Sequence, residues 1–310
     1  MENRKGSMTA LVSAFGRAYH ALYEEPKIFN DYLARKLIKD EEFCNISKNM
    51  AEGIKFFNSK EAYLYPDKES ALKWVVQNQI APTPLGRNRY AEDMLENAIK
   101  LGVKQYVILG AGFDTFAFRK PKVLNKIKVF EVDHPDTQEL KLKRIKALGW
   151  EIDANIKYVP VDFSKDYFKN SLLDSEYNPN ELTFFSWLGV TYYLRREEIY
   201  NMFKDIASIS PQGSALVFDY ADGDIFYPEK TSARVSAMVG MATMAGEPMK
   251  TGYAYFELES NLEKAGLLIY EHLSPVDIEE RYFKGRADYY HAFENINYTL
   301  AVVGNKELDF

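Results

Sequence analysis

The sequence predicts an α/β protein with a doubly wound, mostly parallel sheet of seven strands and an N-terminal helical cap. Three observations support this fold class. Residues 1–100 show helical periodicity, short apolar runs then alternate with helical segments, and a glycine turn directly follows the first run. Strands and helices that alternate in this way form a parallel sheet with helices on both faces, as in Rossmann-like folds.

The predicted cap occupies residues 1–100. From Thr9 to about Lys100 the apolar residues recur at helical spacing, for example within residues 29–37. Pro26 and residues 82–86 are predicted breaks between helices. Residues 101–310 then form the sheet-containing core, and we expect both parts to belong to one integrated domain.

Seven short apolar runs in the core are predicted strands, because runs of this length between helical segments are typical of buried parallel strands. They cover residues 105–109, 127–132, 156–161, 182–187, 215–219, 267–271 and 298–303. The predicted helices between them cover residues 135–148, 164–173 and 195–209, with another beginning near Phe256. Pro135 and Ser164 are suitable first residues for two of these helices.

Residues 222–255 interrupt this alternation. The segment contains four methionines, Met238, Met241, Met244 and Met249, between flanking glycines. Flexible thioether side chains suit either a helical lid over a ligand or a helix that packs into the core. The sequence is compatible with both interpretations.

Composition argues against several classes of protein. The net charge of −6 opposes a general attraction to nucleic acid. The single cysteine, Cys44, cannot form an intramolecular disulfide, and no Cys/His cluster has metal-ligand spacing. No stretch approaches the ~18 apolar residues of a membrane span, and the N-terminus lacks a signal-peptide core. We therefore expect a cytoplasmic protein that binds no nucleic acid, membrane or metal.

The most informative motif is the glycine turn after the first predicted strand, Gly110-Ala-Gly112-Phe-Asp114-Thr115. Glycines at such a turn allow the backbone to approach a ligand closely. A dinucleotide site usually has a third glycine where this chain has Thr115, and a helix N-terminus that receives a pyrophosphate. Asp114 opposes a phosphate but suits a ligand with ammonium and sulfonium charges. A tight turn that binds nothing is the alternative.

A carboxylate pair ends the second predicted strand, about twenty residues after the glycines. The segment reads Glu131-Val-Asp133-His134. A carboxylate at this place can accept hydrogen bonds from both hydroxyls of a ribose. We favour Asp133 over Glu131 for this role, although either residue could instead cap the helix that begins at Pro135.

Another carboxylate ends the third predicted strand, in Val161-Asp162-Phe163. A side-chain oxygen there can accept the amino group of adenine, while Phe163 supplies a backbone N–H and an apolar ring face. The alternative role of Asp162 is to cap the next helix. Candidate ligands at three successive strand ends favour one joint site over three separate caps.

These motifs resemble a known family. The segments LGAGFDTFAFR, FEVDHPDTQELKLKRI, VPVDF and WLGVTYYL are closely similar to the leucine carboxyl methyltransferase-like family, including its bacterial branch of polyketide-type O-methyltransferases. The resemblance extends from the helical cap to about Arg196 and more loosely to the C-terminus. It implies a class I methyltransferase fold with S-adenosylmethionine as the cofactor and S-adenosylhomocysteine as the product.

The resemblance also implies roles for single residues. Arg87 matches a cap arginine that pairs with the cofactor carboxylate in relatives, although it could also be a solvated helix charge. Relatives often carry Glu where this chain has Leu188, so one contact expected from that Glu is absent. The remaining cofactor residues implied are Gly110, Ala111, Gly112 and Asp114 for the methionine part, Asp133 for the ribose, and Asp162 and Phe163 for the adenine.

The sequence gives fewer indications of the residues that contact the methyl acceptor than of those that bind the cofactor. The resemblance places Tyr193 towards the acceptor, and His291 is a possible general base because histidine titrates near neutrality. Either side chain could instead be structural. We expect O-methylation of a small-molecule hydroxyl or carboxylate. The alternatives are a protein C-terminal carboxyl methyltransferase, an NAD-dependent oxidoreductase and a non-catalytic nucleoside-binding protein.

Overall fold

The computed structural model describes residues 7–163 and 168–305. Its strands are β1 (Gln105–Leu109), β2 (Lys128–Asp133), β3 (Ile156–Pro160), β4 (Thr183–Trp187), β5 (Ala215–Ala221), β6 (Leu267–Leu273) and β7 (Ile296–Val303). They form one sheet in the order β3-β2-β1-β4-β5-β7-β6. Five neighbouring strands are parallel, and β7 runs antiparallel to both β5 and β6. The predicted doubly wound, mostly parallel sheet of seven strands is therefore confirmed.

Every predicted strand lies within two residues of an observed strand at each end. The agreement has a simple cause, because β1, β4 and β5 are buried at every residue. Strands of a parallel sheet are covered by helices on both faces, so they appear in a sequence as continuous apolar runs. The length of such a run then approximates the length of the strand.

Helices surround the sheet and also precede it. The α-helices of the described residues are α1 (Met8–Tyr23), α2 (Asp40–Glu52), α3 (Ile54–Phe57), α4 (Lys68–Val75), α5 (Pro82–Lys100), α6 (Phe116–Arg119), α7 (Pro135–Ala147), α8 (Phe168–Leu173), α9 (Arg196–Ser208), α10 (Ala233–Met244), α11 (Tyr255–Lys264) and α12 (Pro275–Ile278). Five of them come before β1. Over residues 7–163 and 168–305, none has both the length and the apolar character needed to cross a membrane.

Two expectations about the N-terminal region are wrong. The helical spacing within residues 29–37 yields only the 3-10 segment Ala34–Leu37, because the Asp31 carboxylate accepts the Ala34 N–H and fixes a turn. The predicted break at residues 82–86 is the first turn of α5. Pro82 takes the N1 position, where its missing N–H is not needed.

The predicted helix start at Ser164 lies outside the described residues.

The order of the strands reverses between β1 and β4. From β1 the chain moves to β2 and β3 on one side, and it then returns to β4 and β5 on the other side. Loops that leave adjacent strands in opposite directions open a crevice at the carboxyl ends of those strands. This reversal positions the candidate site.

Candidate active site

A cavity of about 1190 Å³ lies at the carboxyl ends of β1 to β4. Residues that follow these strands line one side of it, and residues of α1, α2, α5 and α10, here called the covering helices, line the other. Pockets for one small ligand typically measure about 300–1000 Å³. The cavity therefore has room for a nucleoside cofactor together with a second molecule.

The predicted site residues come together in this cavity, with one exception. His291 is exposed on the surface, where its Nδ1 lies 3.0 Å from Glu279 Oε1, and it is not part of the cavity lining. The structure therefore separates it from the other candidates. The candidates that line the cavity are Arg87, Gly110, Ala111, Gly112, Asp114, Asp133, Asp162, Phe163 and Tyr193.

The glycine turn after β1 has a backbone shape that only glycine adopts readily. Gly110 and Gly112 have positive φ angles of 70° and 50°. A Cβ on Gly110 would lie 2.5 Å from Val190 Cγ2, in the loop after β4. The Asp114 carboxylate accepts the backbone N–H of Phe116 at 2.7 Å and so fixes the start of α6. The turn thus brings the β1 and β4 loops together beside the cavity.

Asp133 and Glu131 on β2 have different surroundings. Asp133 ends the strand, lines the cavity and accepts the backbone N–H groups of Gly112 and His134. Burial raises the pKa of Asp133, and these two hydrogen bonds oppose that rise. Glu131 is buried against Lys141 of α7, and burial raises its pKa to about 7. Of the two carboxylates, Asp133 lines the cavity and Glu131 does not, and the role of Asp133 towards a ribose stays a prediction.

The end of β3 lies beside the end of β2. His134 Nε2 is 3.6 Å from Asp162 Oδ2, so the two predicted nucleoside-binding segments meet at the sheet edge. The Phe163 ring borders the cavity, and its centroid lies 6.5 Å from that of Phe168 in α8. A carboxylate and an aromatic ring are therefore adjacent where the resemblance places adenine.

Arg87 reaches from α5 to β5 and to the loop that follows β4. Its Nη1 donates to Asp219 Oδ2 at 3.0 Å and to Tyr192 Oη at 2.8 Å. The other oxygen of Asp219 accepts the Gly189 N–H at 2.6 Å. A Cβ on Gly189 would overlap the guanidinium, so glycine is required beside Arg87. The Nε of Arg87 is buried and finds no hydrogen-bond partner among the described residues.

Sequence reasoning missed the acid that holds Arg87. Asp219 is completely buried and forms a buried ion pair with Arg87. A signal was present, because an aspartate within the otherwise apolar run of β5 needs a partner when it is buried. The apolar run of β5 does not indicate, however, that the partner of Asp219 is Arg87, which lies 132 residues earlier in the chain.

A second missed contact joins the N-terminal segment to residues 222–255. The Glu247 carboxylate accepts hydrogen bonds from the hydroxyls of Ser7 and Thr9, across 240 and 238 residues of sequence. The backbone N–H of Ser7 also donates to Thr137 Oγ1 of α7 at 3.1 Å. Ser7, Thr9 and Glu247 all line the cavity. The N-terminal segment therefore contacts both α7 and the segment that follows α10.

The four methionines of residues 222–255 also line the cavity. Met238, Met241 and Met244 belong to α10, and Met249 follows it. Met244 is 69% exposed, whereas Met238, Met241 and Met249 pack against the hydrophobic core. The segment is thus both a wall of the cavity and a packing element.

Tyr193 is partly buried at the cavity wall. Burial raises its pKa to about 12, and Arg87 partly opposes this rise. The phenol is therefore protonated at neutral pH. It can donate a hydrogen bond to an oxygen atom but cannot accept a proton as a base.

Known proteins are similar in sequence to this chain over most of its length. The family model described as leucine carboxyl methyltransferase matches residues 10–207. A Bacillus subtilis (strain 168) protein named "Putative S-adenosyl-L-methionine-dependent methyltransferase YktD" is 50% identical over 303 residues, which cover 97% of this chain and 99% of the relative. A similarly named Mycobacterium avium (strain 104) protein is 28% identical over 236 residues, covering 75% of this chain and 71% of the relative.

Among solved structures, a "duf574 family protein" from Streptomyces avermitilis has a similar fold. Its TM-score is 0.51 at 14% sequence identity, and the match covers 83% of this chain and 99% of the other. At this level of identity the likeness concerns the fold alone.

Proposed function

This chain belongs to the leucine carboxyl methyltransferase family, and we propose that it methylates an oxygen of a small-molecule hydroxyl or carboxylate. S-adenosylmethionine-dependent methyl transfer is the shared activity of the relatives by name. We propose in addition that the atom that receives the methyl group is an oxygen. The observation that carries it is one continuous cavity in which the cofactor candidates adjoin a methionine-lined space.

The side chains of the cavity fit S-adenosylmethionine. The Asp133 carboxylate suits ribose hydroxyls, and the glycine turn leaves backbone accessible beside it. Arg87 keeps Nε without a partner among the described residues, and a guanidinium edge suits the carboxylate of an amino acid. Asp162 and Phe163 would hold the adenine. When bound, the cofactor supplies a methyl group on a sulfonium, which is open to attack by an oxygen lone pair.

The contribution of the chain is then mainly positioning. Alignment of two reactants in one enclosed site contributes up to about 7–11 kcal/mol to lowering a barrier, without a covalent catalyst. Tyr193 can donate a hydrogen bond to the acceptor oxygen and orient it. The covering helices and the residues joined by the Glu247 contacts form one wall of the cavity. A carboxylate acceptor needs no general base in this arrangement.

A protein C-terminal carboxylate is the second candidate acceptor, because the matching family model is described as a leucine carboxyl methyltransferase. The contacts of Glu247 with Ser7 and Thr9 join the N-terminal segment to the segment after α10 at the wall of the cavity. A folded protein that presents its C-terminus would have to reach the cavity past such contacts. We therefore favour the small molecule.

Calorimetry tests the first step. The parent is expected to bind S-adenosylmethionine and S-adenosylhomocysteine but not NAD, and Asp133→Asn is expected to weaken both interactions. Methyl transfer is then assayed with small phenols and carboxylic acids in parallel with peptides that end in leucine. Binding of NAD alone would contradict methyl transfer. Turnover of the peptides only would replace the small-molecule acceptor with the protein carboxylate.

A further inference from the structure

Four charged side chains and one hydroxyl form a buried cluster beside the glycine turn. The Asp31 carboxylate lies 2.9 Å from Arg17 Nε and 3.3 Å from Arg119 Nε. Arg119 also pairs with Glu92 of α5. The Thr115 hydroxyl joins the charges, because it donates to Asp31 Oδ1 and accepts the N–H of Arg119 Nε at 2.7 Å. We call these five residues the charge cluster.

Stability alone does not account for the charge cluster. Each charge loses its water when it is buried, and apolar residues of similar volume often stabilise a fold equally well. Burial raises the pKa of Asp31, but the two arginines and the Thr115 hydroxyl outweigh this rise and hold the pKa below its usual value. Asp31 is therefore ionised at neutral pH, and it is 1% exposed.

Asp31 reaches the glycine turn on both sides of Asp114. Arg17, which Asp31 orients, donates from Nη2 to the backbone carbonyl of Phe113 at 2.8 Å. Thr115, which Asp31 contacts directly, is the residue before α6. Asp114 lines the cavity, whereas Asp31 and Thr115 do not. The charge cluster thus holds the backbone around a candidate cofactor residue from outside the cavity.

The two halves of the turn are held by different parts of the molecule. Glycines give the turn wide conformational freedom, so contacts from outside must select one shape. Strand β2 holds the first half, where the N–H groups of Gly110 and Ala111 donate to Val132 O at 2.8 and 3.1 Å. The charge cluster holds the second half, residues 113–115.

The charge cluster also explains a departure in the motif. Thr115 stands where a dinucleotide-binding turn usually has its third glycine, which has no side chain to bond. Here the side chain is completely buried, and its hydroxyl uses both a donor and an acceptor within the charge cluster. The residue that distinguishes this turn from a dinucleotide site is therefore the one that ties the turn to Asp31.

We propose that Asp31 is a positioning residue for the cofactor, which holds residues 113–115 in the conformation that receives the methionine part of S-adenosylmethionine. The inference rests on the proposed function, in which the glycine turn binds that part. Asp31 does not line the cavity, so it acts through Arg17 and Thr115. The N-terminal region then contributes to cofactor affinity as well as covering the cavity.

The experiment compares two substitutions of equal size in the charge cluster. Asp31→Asn removes the anion that reaches the turn by both routes, and Glu92→Gln removes an anion that bonds only Arg119. Both variants bury a cation without its full partner, so both are expected to unfold at lower urea concentrations. Only Asp31→Asn is expected to weaken S-adenosylhomocysteine binding, by about threefold to thirtyfold in calorimetry on fully folded protein.

A pair of variants at Thr115 tests the contact by itself. Thr115→Ser keeps the hydroxyl and is expected to keep the affinity of the parent. Thr115→Val removes the hydroxyl at nearly unchanged volume and is expected to weaken binding as Asp31→Asn does. The double variant with Asp31→Asn is expected to lose less affinity than the two single effects combined, because both substitutions remove one shared contact.

Amide hydrogen exchange distinguishes a loss of positioning from a loss of global stability. In ligand-free Asp31→Asn, residues 110–116 are expected to exchange faster relative to β4 than they do in the parent, because the turn opens locally. Glu92→Gln is expected to keep the parent's ratio.

The outcomes separate this inference from the function on which it rests. Failure of the parent to bind S-adenosylhomocysteine would overturn the proposed function itself. Parent-like affinity in Asp31→Asn would overturn only the inference, and so would equal weakening in Asp31→Asn and Glu92→Gln. If Asp31→Asn does not fold, the Thr115 variants decide, because equal affinity in Thr115→Ser and Thr115→Val would overturn the inference.

Discussion

The carboxyl edge of the sheet and the covering helices border the same cavity, but they are assembled differently. At the sheet edge, the candidate residues lie at the end of a strand or within two residues after it, as Gly110, Asp133 and Asp162 do. On the covering side, Ser7 and Glu247 meet across 240 residues of sequence. The part expected to bind the cofactor is therefore local in sequence, and the part expected to bind the acceptor depends on the packing of distant segments.

Arg87 links these two regions. It belongs to a covering helix, but its guanidinium lies at the sheet, held by Asp219 of β5 and Tyr192. Variants at the sheet edge should therefore affect cofactor affinity, and variants of the covering side should affect closure or acceptor choice. Arg87 should affect both stability and cofactor affinity.

The largest effect is expected from Arg87→Met, which tests that link. It leaves the Asp219 carboxylate buried without its cation, and breaking a buried pair in this way costs about 3–5 kcal/mol of unfolding free energy. Urea denaturation measures the loss. The double variant with Asp219→Asn is expected to recover much of this stability and still to bind S-adenosylhomocysteine weakly. Parent-like affinity in the double variant would remove Arg87 from the cofactor site.

Asp133→Asn tests the sheet edge. Replacing the carboxylate that we propose accepts two ribose hydroxyls is expected to weaken S-adenosylhomocysteine binding by about 10- to 100-fold in calorimetry. Glu131→Gln is the matched control, because Glu131 belongs to the same strand but pairs with Lys141 away from the cavity. We expect it to lower stability and leave affinity unchanged. Equal weakening in both variants would mean that strand stability, not ribose recognition, is being measured.

Glu131 also predicts a dependence of stability on pH. Its folded-state pKa is raised to about 7 by burial, whereas an unfolded glutamate titrates near 4.5. Between these values the folded protein holds a proton that the unfolded chain has released. Stability from this group therefore falls as pH rises from about 4.5 to 7 and is constant above that range.

The difference in unfolding free energy between parent and Glu131→Gln isolates this contribution. The unfolding free energy of the parent relative to that of Glu131→Gln is expected to decrease by about 2–3 kcal/mol between pH 5 and 8 in urea denaturation. A parent advantage that grows with pH would mean that Lys141 keeps Glu131 ionised throughout.

The smallest effect is expected on the covering side, from Glu247→Gln. It weakens the charge-assisted contacts with Ser7 and Thr9, so S-adenosylhomocysteine is expected to dissociate about threefold to tenfold faster in stopped-flow measurements. Glu229→Gln, an exposed substitution in the same segment outside the cavity, is the control. An unchanged dissociation rate in Glu247→Gln would show that these contacts do not retain the cofactor.

Much of the sheet was predictable because burial on both faces converts each strand into an apolar run. The same regularity located Asp133 and Asp162, since the carboxyl ends of neighbouring parallel strands meet at one edge. Errors arose where a single residue changes the local outcome. Asp31 holds a turn where the spacing predicts a helix, and Pro82 begins a helix where it was expected to end one.

The sequence by itself determined three features: the succession of strands and helices along the chain, the glycine turn, and the carboxylates at the strand ends. Each of these depends on neighbours within a few residues. Tertiary structure alone decided that Asp219 holds Arg87, that Glu247 meets Ser7, and that His291 lies outside the cavity. A buried charge needs an opposite charge close in space, and a cavity needs walls. Neither requirement specifies how far apart along the chain the contributing residues lie.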